Sequence, residues 1–164
     1  MRWLDRLLSR DGPYVATRIN AIAELGTRVE LCGEVEPLEL LHDPIDGEPA
    51  VVLNYHAHRP GLAQRYFSIQ ATEGAVEAYQ GTNFLLRDDS GTALIQVQPG
   101  ANLGKLHDNL RNEFGVDLRA SIERIGPGDR VRVRGRVAER TDEGSPHRRE
   151  PWCVVVILDE LEDA

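Results

Sequence analysis

The sequence predicts a mainly β fold for a chain of 164 residues. The first observation is a period-two pattern from Thr27, in which Val29, Leu31 and Val35 alternate with polar residues, as in a half-buried strand. The second is the order of elements over residues 27–161, which is strand, hairpin, helix, strand, strand. The chain is long enough to bury a full core, so we expect one domain with an elaboration.

The first half of this order holds most of the strands. The predicted strands are 27–38, 48–58, 65–71 and the two arms of 83–98. Asp89, Ser90 and Gly91 predict the hairpin turn in 83–98, because these residue types tolerate its dihedral angles. Residues 39–81 therefore form an insertion that carries an extra hairpin between the first strand and the next.

The second half of the chain combines helices and strands. Apolar residues recur at helical spacing in "ANLGKLHDNLRNEFG" (101–115), and "DLRASIERIG" (117–126) predicts a second short helical turn. Strands follow at "GDRVRVRGRV" (128–137) and "WCVVVILDEL" (152–161). A polar loop over 138–151 joins these two strands.

Residues 1–25 are predicted to form a helical arm that precedes a domain of residues 26–164. Apolar side chains share one side of a short helix at Met1–Arg10. "PYVATRINAIAELG" (13–26) also shows helical spacing, with an extended strand as the alternative. Met1–Arg10 can dock on the domain, on a partner or on a membrane surface, although two helical turns alone bind a membrane weakly.

The charge balance opposes general affinity for nucleic acid or anionic membranes. The net charge is −8 at pH 7, whereas phosphate-binding proteins usually carry a basic surface. No apolar stretch approaches the roughly 18 residues of a membrane span, and the first residues are too charged for a signal peptide. Cys32 and Cys153 lie in apolar runs and are expected to be buried reduced thiols, so we predict a cytoplasmic protein.

Alternating arginines in 128–137 raise the question of a nucleic-acid-binding stripe. These residues are Arg130, Arg132, Arg134 and Arg136. An antiparallel neighbour at 27–38 would place them on one outer face with Glu30, Glu34 and Glu36. Opposite charges on neighbouring strands contribute about 0.2 to 1 kcal/mol per pair, so we favour a charge-paired barrel wall over a phosphate-binding stripe.

The order of elements resembles that of the oligonucleotide/oligosaccharide-binding (OB) barrel. The resemblance is carried by "VELCGEV", "FLLRDDSGTALIQV", a helix, "GDRVRVRGRV" and "CVVVILDEL", in that order. It implies a five-stranded barrel with an insertion at 39–81 and a helix between strands three and four. It also implies that the loops after strands one and four flank a ligand-binding face on strands two and three.

A narrower resemblance, to the GIDE-type domain, covers the same region. The matching positions are Gly33, Val35, Pro37, Leu38, Pro44, Gly47, Val51, Phe84, Asp88, Gly91 and Ala101. That domain occurs in bacterial proteins and in mitochondrial membrane ubiquitin ligases, which add membrane helices and a zinc-binding RING. Two isolated cysteines cannot supply a RING, so the resemblance implies a bacterial accessory or interaction module without ligase activity.

Basic residues of the two long loops form the candidate binding site. They are Arg59 and Arg65 in the insertion, and His147, Arg148 and Arg149 in the loop 138–151. Such a patch suits an acidic peptide or a phosphate. The alternative is a solvated loop, because neighbouring acidic residues dilute the positive charge.

Catalytic and metal-binding chemistry is not indicated. His56 and His58 can share one strand face, but zinc needs further ligands, for which Cys32 and His42 are the remote candidates. Asp88 and Asp89 at the hairpin tip are expected to make turn hydrogen bonds. No phosphate-binding loop, nucleophile elbow or metalloprotease motif occurs. We therefore expect no catalytic residue, metal or cofactor.

The favoured function is a non-enzymatic module that binds a protein partner. Single-stranded nucleic-acid binding is the first alternative, but such barrels stack bases on aromatic residues of strands two and three. There the sequence offers only Phe84, whose side of the strand is predicted to be core. Membrane association through Met1–Arg10 is the second alternative.

Overall fold

The computed structural model describes residues 13–58, 75–115, 118–141 and 151–164. The strands are β1 (Val15–Ala16), β2 (Arg28–Pro37), β3 (Leu41–His42), β4 (Pro49–Ala50), β5 (Val52–His58), β6 (Ala75–Gly81), β7 (Phe84–Arg87), β8 (Thr92–Gln96), β9 (Arg119–Ile125), β10 (Arg130–Arg140) and β11 (Val154–Asp163). Helix α1 spans Leu103–Phe114, and a 3-10 turn spans Ile19–Ala21. The chain divides into two compact units.

The first unit contains a closed five-stranded barrel. Its strands follow the cyclic order β2, β10, β11, β8, β7 and back to β2. All of these neighbours are antiparallel except β8 and β11, which are parallel. With β2, β7, β8, β10 and β11 as strands one to five, this is an OB-like arrangement. The prediction of a mainly β, OB-like barrel is confirmed.

Two glycines on the inner face let neighbouring barrel strands approach closely. A Cβ atom on Gly33 would lie 2.5 Å from the carbonyl oxygen of Arg87, and one on Gly135 would collide with the carbonyl oxygen of Ile157. The pairing of β10 with β11 also shifts register between Arg134 and Gly135. β2 and β10 share the pattern Gly-x-Val, as Gly33-Glu34-Val35 and Gly135-Arg136-Val137. Each strand has a glycine where a neighbouring backbone comes too close for a side chain.

Residues 13–26 do not form the predicted α-helix. β1 pairs in parallel with β2, and the 3-10 turn follows it. Ile19 and Ile22 are buried, which accounts for their apolar character. The backbone N–H of Ile19 donates to the Asp88 carboxylate and that of Asn20 to the Ser90 hydroxyl. These tertiary hydrogen bonds replace the hydrogen bonds of a helix. The alternative prediction of an extended strand is therefore the better description of this segment. Met1–Arg10 lies outside the described residues.

The second unit is built from the insertion after β2 and from the segment between β8 and β10. β5 lies between β6 and β9, and all three strands are antiparallel. One face packs against α1; its buried residues are Ala50, Leu53, Tyr55, Ala57, Val76, Leu103, Leu110 and Phe114. The Asn102 side chain caps the first turn of α1 by accepting from the Lys105 N–H at 3.0 Å.

The outcome for the remaining elements is mixed. The hairpin predicted in 83–98 is present as β7 and β8, and α1 lies within the segment 101–115. The single strand predicted over 48–58 is divided into β4 and β5, which belong to different sheets. The helical turn predicted within 117–126 is wrong for residues 119–125, because these form β9 and all seven pair with β5. The strand predicted at 65–71 lies outside the described residues.

Candidate functional site: the outer wall of the barrel

One half of the barrel's outer surface, on β2, β10 and the C-terminal half of β11, is a network of ion pairs. We call Arg132, Arg134, Glu30, Glu160 and Glu162 the charged wall. Arg134 lies 2.6 Å from Glu30, 2.9 Å from Glu160 and 3.7 Å from Glu162. Arg132 lies 3.6 Å from both Glu30 and Glu162. Hydrogen bonds that the Arg134 guanidinium donates to Glu160 and Glu30 raise its pKa, so its charge is permanent.

Tyr14 attaches the N-terminal segment to this wall. The centroid of its ring lies 4.0 Å from the guanidinium carbon of Arg28 and 6.0 Å from the guanidinium carbon of Arg134. Its hydroxyl donates to the Asp159 carboxylate at 3.1 Å. Burial raises the pKa of Tyr14. The aromatic ring thus joins the positive side chains by cation–π contacts.

The predicted charge pairing is confirmed in type and corrected in its partners. Of the predicted partners, Glu30 forms ion pairs with Arg132 and Arg134. Glu36 pairs with Arg87 instead. The other carboxylates, Glu160 and Glu162, come from β11 and not from the predicted neighbour strand. Arg130 and Arg136 make no ion pair with any described residue.

The opposite half of the outer surface, on β7, β8 and the N-terminal half of β11, is apolar. Leu85, Leu94 and Val155 are neighbours across the three strands and are 3%, 8% and 3% exposed. The half-buried indole of Trp152 packs against this cluster. We call these four residues the apolar wall. Ile157 continues it along β11 and is 37% exposed.

Trp152 changes the prediction for strands two and three. Phe84 is fully buried as predicted, but a different aromatic residue lies on the outer face of β7 and β8. Trp152 comes just before β11 and outside the strand, so strand alternation does not predict its direction. The face that binds ligands in OB-folds therefore carries an aromatic residue that sequence reasoning missed.

The hairpin between β7 and β8 is held by Asp88. Its carboxylate accepts hydrogen bonds from the N–H groups of Ile19, Ser90 and Gly91 and from the Ser90 hydroxyl. Burial by itself would raise the pKa of Asp88, but these hydrogen bonds together hold that pKa below its usual value. The predicted turn hydrogen bonds are confirmed for Asp88, whereas the Asp89 carboxylate lies 3.5 Å from Arg18 in an ion pair.

In the second unit, His56 lies on the sheet face opposite α1. Its ring nitrogens lie 3.6 Å from Glu77 and 3.5 Å from Glu123, and Asn54 lies 3.0 Å from Nε2. The two carboxylates approach different ring nitrogens, so they cannot share one metal ion with the imidazole. No group of three or more metal-ligating side chains occurs among the residues that the structure describes.

A second polar contact is buried within that unit. The Tyr55 hydroxyl and His107 Nδ1 are 2.9 Å apart. Burial raises the pKa of Tyr55 to about 12 and lowers the pKa of His107. Both side chains are therefore neutral at pH 7, and the hydrogen bond between them satisfies polar groups inside the core.

The predicted loop residues and cysteines have different outcomes. Arg59, Arg65, His147, Arg148 and Arg149 all lie outside the described residues, so their grouping stays a prediction. Cys32 is exposed, which corrects the expectation of a buried thiol. It is exposed because outward positions of β2 alternate with core positions. Cys153 is partly buried, and its thiol donates to the Thr92 carbonyl at 3.3 Å.

Comparison with known proteins finds similarity to solved structures. No family model and no curated protein matches the chain. The structure titled as the N-terminal domain of an archaeal MCM is similar at 12% identity with a TM-score of 0.37. The match covers 91% of this chain and 61% of that one. The fold assignment rests on the strand order and register described above.

A membrane-spanning helix is absent from the described part of the chain, where no helix is both long and apolar enough to cross a bilayer.

Proposed function

We propose that this chain is a non-enzymatic binding module that holds a protein partner on its apolar wall. The observation that carries this proposal is the half-buried Trp152, packed on Leu85, Leu94 and Val155 beside the exposed Ile157. Tryptophan in an apolar setting is enriched among the residues that dominate protein interfaces. A partner that inserts an apolar side chain between Trp152 and Ile157 would remove this surface from water.

The charge distribution supports a protein over a phosphate backbone. Arg132 and Arg134 are neutralised by carboxylates, and Arg87, at the edge of the apolar wall, pairs with Glu36. Affinity for nucleic acid depends on cations that are free to replace the counterions of phosphates. The net charge of −8 adds a general repulsion. The resemblance to the GIDE-type domain agrees with an accessory role in a bacterial system.

Single-stranded nucleic acid is the second candidate, and Trp152 favours it too. The indole lies on the strand-two and strand-three face, where OB-folds stack bases. In the sequence, His147, Arg148 and Arg149 precede Trp152 by three to five positions. A stacking residue directly after basic residues is the combination that a single-strand binder needs.

Site-specific photo-crosslinking in the native host tests the protein partner. A photoreactive benzoylphenylalanine replaces Ile157 on the apolar wall, and in a matched chain it replaces Arg130 beside the charged wall. We expect one defined adduct from position 157 and none from position 130. Trp152→Ala in the position-157 chain should remove the adduct, because truncating an interface tryptophan costs about 2 kcal/mol or more, roughly 30-fold in affinity. Equal adducts from both positions would contradict the proposal.

A labelled single-stranded oligonucleotide separates the two candidates. Fluorescence anisotropy at low salt should show no binding if the partner is a protein. Binding that weakens steeply as salt rises, and that Trp152→Ala abolishes, would replace the protein proposal with the nucleic-acid one.

A further inference from the structure

β9 is an edge strand with one unpaired side in the described structure. The sheet of the second unit has the order β6, β5, β9. Over residues 13–58, 75–115, 118–141 and 151–164, β5 is the strand that pairs with β9. β9 is seven residues long, and half of its backbone N–H and C=O groups point away from β5. Such a row of unpaired groups is a template for another strand.

The sequence of β9 is complementary to itself when two copies run antiparallel. A two-fold axis normal to the sheet keeps each residue on its own face of the sheet. The axis must therefore lie between two copies of the same residue, and we name each register by that residue. Through Ser121 it places Arg119 of one copy opposite Glu123 of the other, twice, and Ala120 opposite Ile122, twice. Opposite charges and apolar pairs directly across two strands are both stabilising.

Neighbouring registers lose this complementarity. An axis through Ile122 places Arg119 opposite Ile125 and Glu123 opposite Ser121, so the ionic pairs are absent. An axis through Glu123 brings two carboxylates together. The side-chain pattern therefore favours the register centred on Ser121.

The faces of β9 suit a continuous sheet. Ala120 and Ile122 pack on the hydrophobic cluster shared with α1, while Arg119 and Ser121 are exposed on the opposite face. The Glu123 side chain is 33% exposed and lies 3.5 Å from His56. Pairing of two copies would join the two clusters on one face and the charged pairs on the other.

We propose that β9 is a homodimerisation edge, on which a second copy of this chain adds its own β9 antiparallel through Ser121. The result is a six-stranded sheet in the order β6, β5, β9, β9, β5, β6. The contact is small, so the association belongs to the class of weak interfaces below about 1,200 Å². It uses the second unit alone and is independent of the partner proposed for the apolar wall.

Charge reversal in the full chain tests this register. Sedimentation equilibrium from about 10 µM to about 1 mM, the range of weak interfaces, should show concentration-dependent doubling of mass. Arg119→Glu and Glu123→Arg each place like charges opposite one another and should weaken association about tenfold or more. The double variant R119E/E123R restores opposite charges and should return the dissociation constant to within about threefold of the original.

Glu113→Arg on the exposed side of α1 is the matched charge control and should leave association unchanged. A chain that stays monomeric over the whole concentration range would overturn the proposal. So would a dimer that the single reversals do not weaken, or one that the double variant fails to restore. If a variant folds poorly, concentration-dependent protection of β9 amides against hydrogen exchange in the unaltered chain gives the same decision.

Discussion

The charged wall and the apolar wall belong to one barrel and use opposite chemistry on the same outer surface. On β2, β10 and the C-terminal half of β11, side chains are held by ion pairs such as Arg134–Glu160. On β7, β8 and the N-terminal half of β11, Leu85, Leu94 and Val155 are nearly as buried as the barrel interior. The change occurs within β11, between Ile157 and Glu160.

This difference indicates where apolar side chains still meet solvent. The charges of the charged wall are paired with one another, so a ligand there would have to replace existing ion pairs. At the margin of the apolar wall the side chains are not fully covered, because Trp152 is half-buried and Ile157 is partly exposed. A binding surface is therefore expected on the apolar half, even though the arginines attract attention first in the sequence.

The largest expected effect is at Gly135, where the pairing of β10 with β11 shifts register. In Gly135→Ala the added Cβ would collide with the carbonyl oxygen of Ile157. We expect a loss of about 3 kcal/mol or more in the free energy of unfolding, from overpacking against backbone. Denaturant titration measures it. Gly104→Ala in α1 is the control and should be neutral or stabilising by up to about 1 kcal/mol, since alanine is a better helix former. Equal stability of the two variants would contradict the collision.

Leu94→Ala probes the apolar wall. Leu94 is 8% exposed and lies centrally between Leu85 and Val155, so its truncation leaves a cavity under Trp152. We expect a loss of about 2 to 4 kcal/mol in the free energy of unfolding, measured by denaturant titration. Leu38→Ala is the matched control, because Leu38 is 50% exposed and its truncation should change stability by less than about 0.5 kcal/mol.

Arg134→Met probes the charged wall. It keeps most of the side-chain volume but leaves Glu30, Glu160 and Glu162 without their common cation. The Arg134 side chain is 23% exposed, so solvent screens part of the network and we expect a loss of about 1 to 2 kcal/mol. The loss should shrink in high salt, whereas that of Leu94→Ala should not. Arg136→Met should stay within about 0.5 kcal/mol.

The smallest effect concerns acid stability of the hairpin that begins the apolar half. The pKa of Asp88 is lowered in the folded chain, so its contribution is complete above about pH 4 to 5 and is lost as pH falls through the lower folded value. Asp88→Asn should cost about 1 kcal/mol at pH 7. It should also flatten the decline in stability below about pH 4. An acid decline that is identical in both chains would contradict this role for Asp88.

Local patterns predicted the barrel because the alternation of apolar and polar residues along each strand indicates which side chains face the core. Val29, Leu31 and Val35 alternate with polar residues on β2, and Val131, Val133 and Val137 do so on β10. The charged wall was predicted in principle for the same reason. Its partners on β11 were missed because Glu160 and Glu162 face the arginines only after the register shift at Gly135, which no local pattern contains.

Two segments were assigned to helices because apolar spacing alone is ambiguous over short stretches. Ile19 and Ile22 fit a helical face, yet they are buried in a 3-10 turn whose N–H groups donate to Asp88 and Ser90. Leu118, Ile122 and Ile125 also fit a helix, yet seven residues there pair with β5. In both cases hydrogen-bond partners far away in the chain decided the structure.

By itself the sequence determined the strand periodicity and the order of barrel elements, because both depend on neighbours along the chain. The acidic net charge follows from composition alone. The tertiary structure alone decided which carboxylates neutralise the arginines, that Trp152 covers the outer face of β7 and β8, and that β9 is an edge. These features depend on register and on side-chain direction outside regular strands. Both arise only when residues distant in the chain come together, as Leu94 and Val155 do across β8 and β11.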